Sequence, residues 1–387
     1  MLPRIKISYL NGQLGTVGES PDGLFALLCV AMAVSATFEL EKAYSVRSVA
    51  DLEALGVTAE NNPQLHRHVT DFYGEAENGT ELIVWGFAES AKVSELLNKD
   101  SGKAKDLLMA ENGKLRGLFV SGAAETAGAD GLGADTVAAM PVAQALAEWS
   151  TTDLYAPIFV VLEGKGATKN AKDLSAEQYN RVAVLVGDTS ADSGEACVGV
   201  MAGRLASIPV HRNLGRVKDG ALAPTEMYIG TKEAGGAMSD VAELHERGYI
   251  TPRRYVGAAG YYFSDDRLAC KVTDDYAHIA HRRVIDKAYR IAYDTLLQFM
   301  LDEIEVNEDG TMQAAVIKSW QQSVENAINR SMTAAGELSA EGGEGCECYI
   351  DEKQNVLSTS RVEVTLRVRP YAYARYIDVN LGFQVNG

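Results

Sequence analysis

Four short apolar runs, at residues 81–87, 116–121, 157–163 and 182–187, constrain this chain more than anything else in it. Each is nearly continuous in apolar character rather than alternating, so a strand built from it must be covered on both faces. Between them lie segments of helical period at 63–73, 134–155 and 194–206. Apolar strands separated by helices point to a mostly parallel sheet with helices on both sides, because a parallel neighbour is reached only through a crossover. We expect this α/β body to occupy residues 21–230.

The pattern changes after about residue 230. Short strand-like stretches at 249–256 and 260–263 precede two long amphipathic segments. In the first, Ile285, Ala288, Tyr289, Ala292, Leu296, Phe299 and Met300 share one helical face, and Arg283, Asp286, Lys287, Arg290 and Asp294 lie on the other. A turn from Asn307 to Gly310 is followed by Thr311, placed to cap a second helix that buries Ile317, Trp320, Val324 and Ile328. A Gly/Glu-rich loop at 336–345 leads to a strand near 348–351. The expected fold class is α/β (α+β overall). It has a central mostly parallel sheet flanked by helices, a C-terminal α+β domain with two long helices, and extended N- and C-terminal β arms. The expected boundaries are an arm at 1–20, the body at 21–230, the C-terminal domain at 231–369 and a second arm at 370–387.

The arms rest on alternation. Ile5, Ile7 and Tyr9 alternate with Arg4, Lys6 and Ser8. Residues 361–370 alternate too, as do Ile377, Val379, Leu381, Phe383 and Val385 with their neighbours. Such rows form half-buried strands. The last runs to within two residues of the end of the sequence, so we expect no later segment to pair with it. Strands at both extremities either join within one sheet or are offered to other chains. Open edges are an aggregation hazard in a monomer and a joining surface in a polymer.

A hydrophobic content of 47% and a charged content of 23% are ordinary for a globular chain. No apolar run reaches the roughly 18 residues of a membrane span. The nearest, 23–34, reads as a buried strand or helix and not as a signal peptide. Cys29, Cys197, Cys270, Cys346 and Cys348 are odd in number and widely scattered, which favours a reducing compartment over a disulfide framework. A net charge of −17 disfavours nucleic acid and anionic membranes as partners. Self-assembly must overcome that charge through complementary patches. The acidic stretch 337–352 and the following Arg361, Arg367, Arg369 and Arg375 offer one such pair.

Candidate chemistry is sparse. His66 and His68 diverge by about 200° on a helix and cannot share a metal. His278 and His281 share a helical face, with Asp274 and Asp275 near in sequence, but no metal-ligand pattern accompanies them. Cys346 and Cys348 lack a second ligand pair. The loop from Gly187 to Gly194 follows an apolar strand and opens a helix, the geometry for an anion, yet Asp188 and Asp192 would repel phosphate. The stretch 163–169 has glycines and lysines without P-loop spacing. Asp265 with Asp266, and Asp274 with Asp275, would point to opposite faces of a strand. No GxSxG elbow is present. We assign no catalytic residue, cofactor or metal, and expect the chain not to be an enzyme.

The order of segments carries more than any motif. A strand-forming arm precedes an α/β body. Residues 208–215 then connect to 249–256, residues 260–267 precede 276–285 and its long helix, and a strand-rich arm closes the chain. This order resembles the sheath proteins of contractile phage tails and related bacterial injection machines. The segment 277–286 looks like that family's strand followed by a helix opening on paired arginines, matched by Arg282 and Arg283, while His281 departs from the usual residue. The resemblance implies a structural subunit, polymerising into a helical tube around an inner tube by exchange of terminal strands and contracting to drive that tube through an envelope. It implies partners in the chain itself, the inner tail tube protein, and baseplate and tail terminator proteins, with no nucleic acid and no membrane insertion. It places the chain in a virion tail, or in the bacterial cytoplasm during assembly. Ile5, Ile7, Tyr9, Ile377, Val379, Leu381, Phe383 and Val385 would be the intersubunit arms; Arg283, Lys287 and Arg290 would face the inner tube. The alternatives are an α/β enzyme holding a phosphorylated ligand at the 187–194 loop, and a non-contractile phage structural protein.

Overall fold

The computed structural model describes residues 22–379 and 381, and the chain divides into two compact units. The first comprises residues up to Pro209 together with Leu214–Ile279; the second comprises Val210–Asn213 and the chain from Ala280.

The first unit is built on a six-stranded sheet in the order Ala43–Val46, Leu82–Phe87, Phe25–Val30, Gly117–Ser121, Phe159–Glu163, Val182–Leu185. All neighbours are parallel except Ala43–Val46, which runs antiparallel to Leu82–Phe87 at one edge. Every residue of the four strands read from the apolar runs is buried, as strands covered on both faces require. The run at 23–34 resolves into the central strand. Its Phe25 meets Phe119 and Phe159 edge-on, with ring centroids 5.1 and 5.8 Å away. Such pairs contribute about 0.5–1.5 kcal/mol each beyond the area they bury.

Helices Pro63–Glu75 and Val198–Ser207 lie against each other unusually closely. Gly199 and Gly203, one turn apart, make this possible: a Cβ on either would collide with the carbonyl oxygens of His68 and Phe72.

Residues 231–279, grouped by sequence with the C-terminal domain, pack with the first unit. Tyr249, Ile250, Phe263, Leu268 and Cys270 join its core. The Ile250 amide donates to Val184 O at 3.0 Å, and its carbonyl accepts from Val186 N at 2.9 Å. This segment therefore satisfies the open edge of Val182–Leu185, which is why it stays with the sheet.

The second unit packs helices Ile279–Leu297 and Ala314–Ile328 on the antiparallel hairpin Cys346–Ile350/Val364–Val368. Val284, Ala288, Val324, Ile328, Met332 and Cys348 form one small core; Met312, Ile317, Ile350 and Val356 form another. Three expectations change here. The first helix ends at Leu297, so Phe299 and Met300 lie beyond it. Its charged side, expected to face outward to an inner tube, is partly engaged within the unit: Arg283 and Asp286 are buried, and Lys287 Nζ sits 2.7 Å from Glu337 Oε2. Thr311 does not cap the second helix, whose N-cap position is Gln313, two residues too far along; its hydroxyl donates instead to Asp309 Oδ1 at 2.6 Å. No described helix is long and apolar enough to cross a membrane.

Candidate assembly interface

The hairpin pairs Cys346 with Val368 and Ile350 with Val364. Alternation sends Cys346, Cys348, Val364, Leu366 and Val368 towards the apolar clusters and Glu347, Tyr349, Thr365 and Arg367 away from them. The acidic and basic segments expected to attract between subunits meet within this hairpin. Arg367 lies 3.7 Å from Glu347, and Arg369 lies 3.4 Å from Glu341. These pairs are exposed and contribute little stability.

The two outer edges differ. Along Cys346–Ile350, the Cys348 amide donates to Glu325 Oε1 at 2.9 Å. Along Val364–Val368, no further strand is paired among the described residues. Beside that edge is an apolar groove of about 640 Å³, lined by Phe299, Met300, Leu301, Trp320, Leu357 and Val364 among others. Phe299 and Trp320 stack at its wall, with centroids 4.6 Å apart.

Past Val368 the chain forms no strand among the described residues. Tyr376, Ile377, Val379 and Leu381 are 83%, 77%, 77% and 97% exposed. Ile5, Ile7, Tyr9, Phe383 and Val385 lie outside the described residues.

The other candidates resolve separately. His66 Nε2 reaches Glu53 Oε1 at 3.0 Å, while His68 turns inward, its Nε2 2.9 Å from Ser121 Oγ. His278 and His281 do not share a face. His278 precedes the regular helix and holds Asp266 Oδ1 at 2.9 Å from Nδ1, whereas His281 Nε2 lies 3.3 Å from the Tyr371 carbonyl. Asp265 and Asp266, expected to diverge, converge with His278 because they sit in a loop and not on a strand. Their ligand atoms fall within 4.8 Å of one another. Burial raises the Asp266 pKa, with the His278 bond opposing. In the 187–194 loop Asp188, with the following Glu195, turns to Arg67. Arg67 Nη1 holds Asp188 Oδ2 at 2.6 Å, and its other amino group holds Glu195.

Sequence reasoning missed a buried polar centre at the C-terminal ends of the parallel strands. Ser121 Oγ accepts from Gln64 Nε2 at 2.7 Å; His68 Nε2 is 3.7 Å from Glu163 Oε1; Lys165 Nζ is 3.0 Å from Glu163 Oε2 and also donates to the Gly122 carbonyl. Burial holds the His68 imidazole well below its ordinary pKa, helped by the Arg67 and Lys165 charges. These residues come from two strand ends and one helix, separated by up to a hundred positions, so no local spacing announces them. Ser, His and Glu look like a hydrolytic set, but Ser121 and His68 are wholly buried and Glu163 nearly so.

Comparisons with known proteins agree with this architecture. No curated protein sequence matches the chain. Among solved structures, a chain of the anti-feeding prophage baseplate (6-fold symmetrised) is similar at 16% identity and a TM-score of 0.62, covering 100% of this chain and 99% of that one. A chain of the contracted sheath complex of the extracellular contractile injection system PVC is similar at 15% identity and a TM-score of 0.63, covering 100% and 98%. The sheath tail protein of Desulfitobacterium hafniense follows at 11% identity and a TM-score of 0.51, covering 95% and 100%. The chain therefore has the fold of contractile sheath proteins over its full length. Residues 2–267 match the profile of the DUF2586 N-terminal domain and residues 275–387 that of the DUF2586 C-terminal domain, and the chain belongs to the DUF2586 family.

Proposed function

We propose that this chain is the structural subunit of a contractile sheath, polymerising around an inner tube and driving it forward on contraction. The observation that carries this reading is the joint occurrence of an open hairpin edge, an apolar groove beside it, and an exposed alternating arm in a chain with the sheath fold. Ile377, Val379 and Leu381 from a second copy would pair along Val364–Val368 and fill the groove. Main-chain hydrogen bonds would supply affinity, and the alternation would set register. A head-to-tail contact that does not close yields a helical tube. The sheath fold of the neighbours speaks for a non-enzymatic role.

Inner tube, baseplate and tail terminator proteins are the partners this role requires, with assembly in the bacterial cytoplasm. The tube-facing proposal covers Arg283, Lys287 and Arg290; Arg283 is buried, Lys287 is engaged with Glu337, and the half-buried Arg290 also has a partner within the chain, so each would exchange an existing contact for the tube. Arg290→Glu should weaken assembly around the tube; unchanged assembly removes that assignment. The overall reading is tested by negative-stain microscopy of concentrated protein. Tubular polymers are expected from the full chain, and none from a chain lacking residues 376–387, whose body remains folded. Sheaths formed by the truncated chain would sink the arm-exchange mechanism.

A further inference from the structure

The C-terminal arm leaves the second unit through an interlocked set of histidines and tyrosines. The Tyr371 ring lies 5.2 Å from the His211 ring, and the Tyr373 ring lies 5.5 Å from that of His281. The polar links then cross over. The Tyr373 hydroxyl donates to the His211 carbonyl, while His281 Nε2 lies 3.3 Å from the carbonyl of Tyr371. The Arg375 guanidinium stands 5.2 Å from the Tyr373 ring centroid. The two histidines come from distant parts of the chain, one on the inserted Val210–Asn213 segment and one in the first turn of Ile279–Leu297. Beyond Arg375 this support ends; Tyr371 is 36% exposed and Tyr376, the next large apolar side chain after Tyr373, is 83% exposed.

We propose that Tyr371, Tyr373, His211 and His281 are positioning residues for assembly: a buckle that fixes where the arm leaves the subunit, so that Ile377, Val379 and Leu381 reach a second copy from a defined root. This rests on the sheath reading and adds a device to it. The contacts are spaced as a two-point anchor needs. Adjacent side chains of an extended segment point to opposite sides, so Tyr371 and Tyr373, two apart, face the same way. Each finds a ring to pack on, and each makes or shares a polar link with the other's histidine. A single contact would leave the segment free to swivel; two crossed ones fix its direction. Residues released from the buckle would have to be ordered again at every joint. A swivelling root also dilutes the arm around its acceptor, which lowers its effective concentration there.

The test uses the full chain and two readouts. Amide exchange of residues 371–375 in unassembled protein reports the buckle, and light scattering with microscopy reports assembly. Tyr371→Ala combined with Tyr373→Ala should remove protection across 371–375 and raise the concentration for half-maximal assembly by about tenfold, with both units' melting transitions unmoved. Tyr373→Phe, which keeps its ring and loses only the hydroxyl bond, should fall between this variant and the unmodified chain. Lost protection with unchanged assembly overturns the buckle, as does an unmodified chain with no protection at 371–375. Should the double variant misfold, Tyr373→Phe decides alone, and unmodified behaviour in both readouts overturns the proposal. An unmodified chain that never polymerises overturns the sheath reading instead, while exchange at 371–375 still reports on the anchor.

Discussion

Replacing Lys165 by methionine tests whether the charge centre under the parallel sheet is held together as an ion pair. Lys165 Nζ lies 3.0 Å from Glu163 Oε2, with both side chains almost wholly buried. Glu163 Oε1 also accepts from the Ala196 amide at 3.1 Å. Methionine preserves much of the lysine stem but removes the cation, and His68, held neutral by burial, does not replace it. Breaking a buried pair from one side costs about 3–5 kcal/mol. Burial already pushes the Glu163 pKa up while Lys165 pulls it down, so losing the lysine raises it further. The folded variant then keeps a proton that the unfolded chain releases above about pH 4.3. Stability therefore falls as pH rises from there, by about 1.4 kcal/mol per unit, until the folded pKa is passed. At roughly 2–4 °C per kcal/mol for a unit of this size, the melting temperature should drop about 10 °C near pH 7 and only a few degrees near pH 4.5. Calorimetry of the full chain, following the first unit's transition across this range, measures it. Adding Glu163→Gln keeps an acceptor for Ala196 and removes the stranded charge, so the double variant should regain most of the loss. A Lys165→Met variant that loses under about 1 kcal/mol, or loses equally at both pH values, refutes the reasoning.

Val379→Asp should raise the concentration needed for polymerisation at least tenfold, since burying a valine contributes about 1.5–3 kcal/mol and an unpaired carboxylate opposes burial; sedimentation of the full chain measures this, and unchanged assembly would exclude Val379 from the joint. Gly199→Ala should lower the first unit's melting temperature by several degrees, because its Cβ meets the His68 carbonyl and two helices must separate; denaturant unfolding gives the size. Asp71, half-buried beside an open cavity, has a pKa pushed up to about 6 by desolvation, with Arg67 opposing. Its folded pKa is the raised one, so stability should decline as pH rises from about 4 to about 6 and then level off. Asp71→Asn should flatten that slope in pH-dependent melting.

The sheet was legible because burial on both faces demands uninterrupted apolar runs, and those stand out in any sequence. The long helices were legible as amphipathic stretches, but their polar sides were not. A helix wheel shows which residues are apolar, and cannot show that Arg283 and Asp286 are buried or that Lys287 meets Glu337 fifty positions later. Residues 231–279 were hard to place for a related reason. What ties Ile250 to the first unit is a backbone bond to Val184, and backbone bonds leave no residue signature. The arm at 377–381 was visible as alternation, whereas the His–Tyr contacts at its root join residues 90 or more positions apart. The buried Ser121–His68–Glu163–Lys165 centre was hidden in the same way, since only the parallel sheet brings its members together.

The exposed arm also bears on how long an unassembled subunit survives. A protease takes its substrate as an extended strand with accessible side chains, and Tyr376, Ile377, Val379 and Leu381 are accessible in the free chain. In the proposed joint, pairing against another subunit's hairpin would hide the same backbone. If the proposed joint forms, cleavage there should remove the arm from unassembled copies and leave polymerised ones intact. Limited proteolysis of free and polymerised protein, compared at equal mass, would show this as loss of the C-terminal segment from the free form alone.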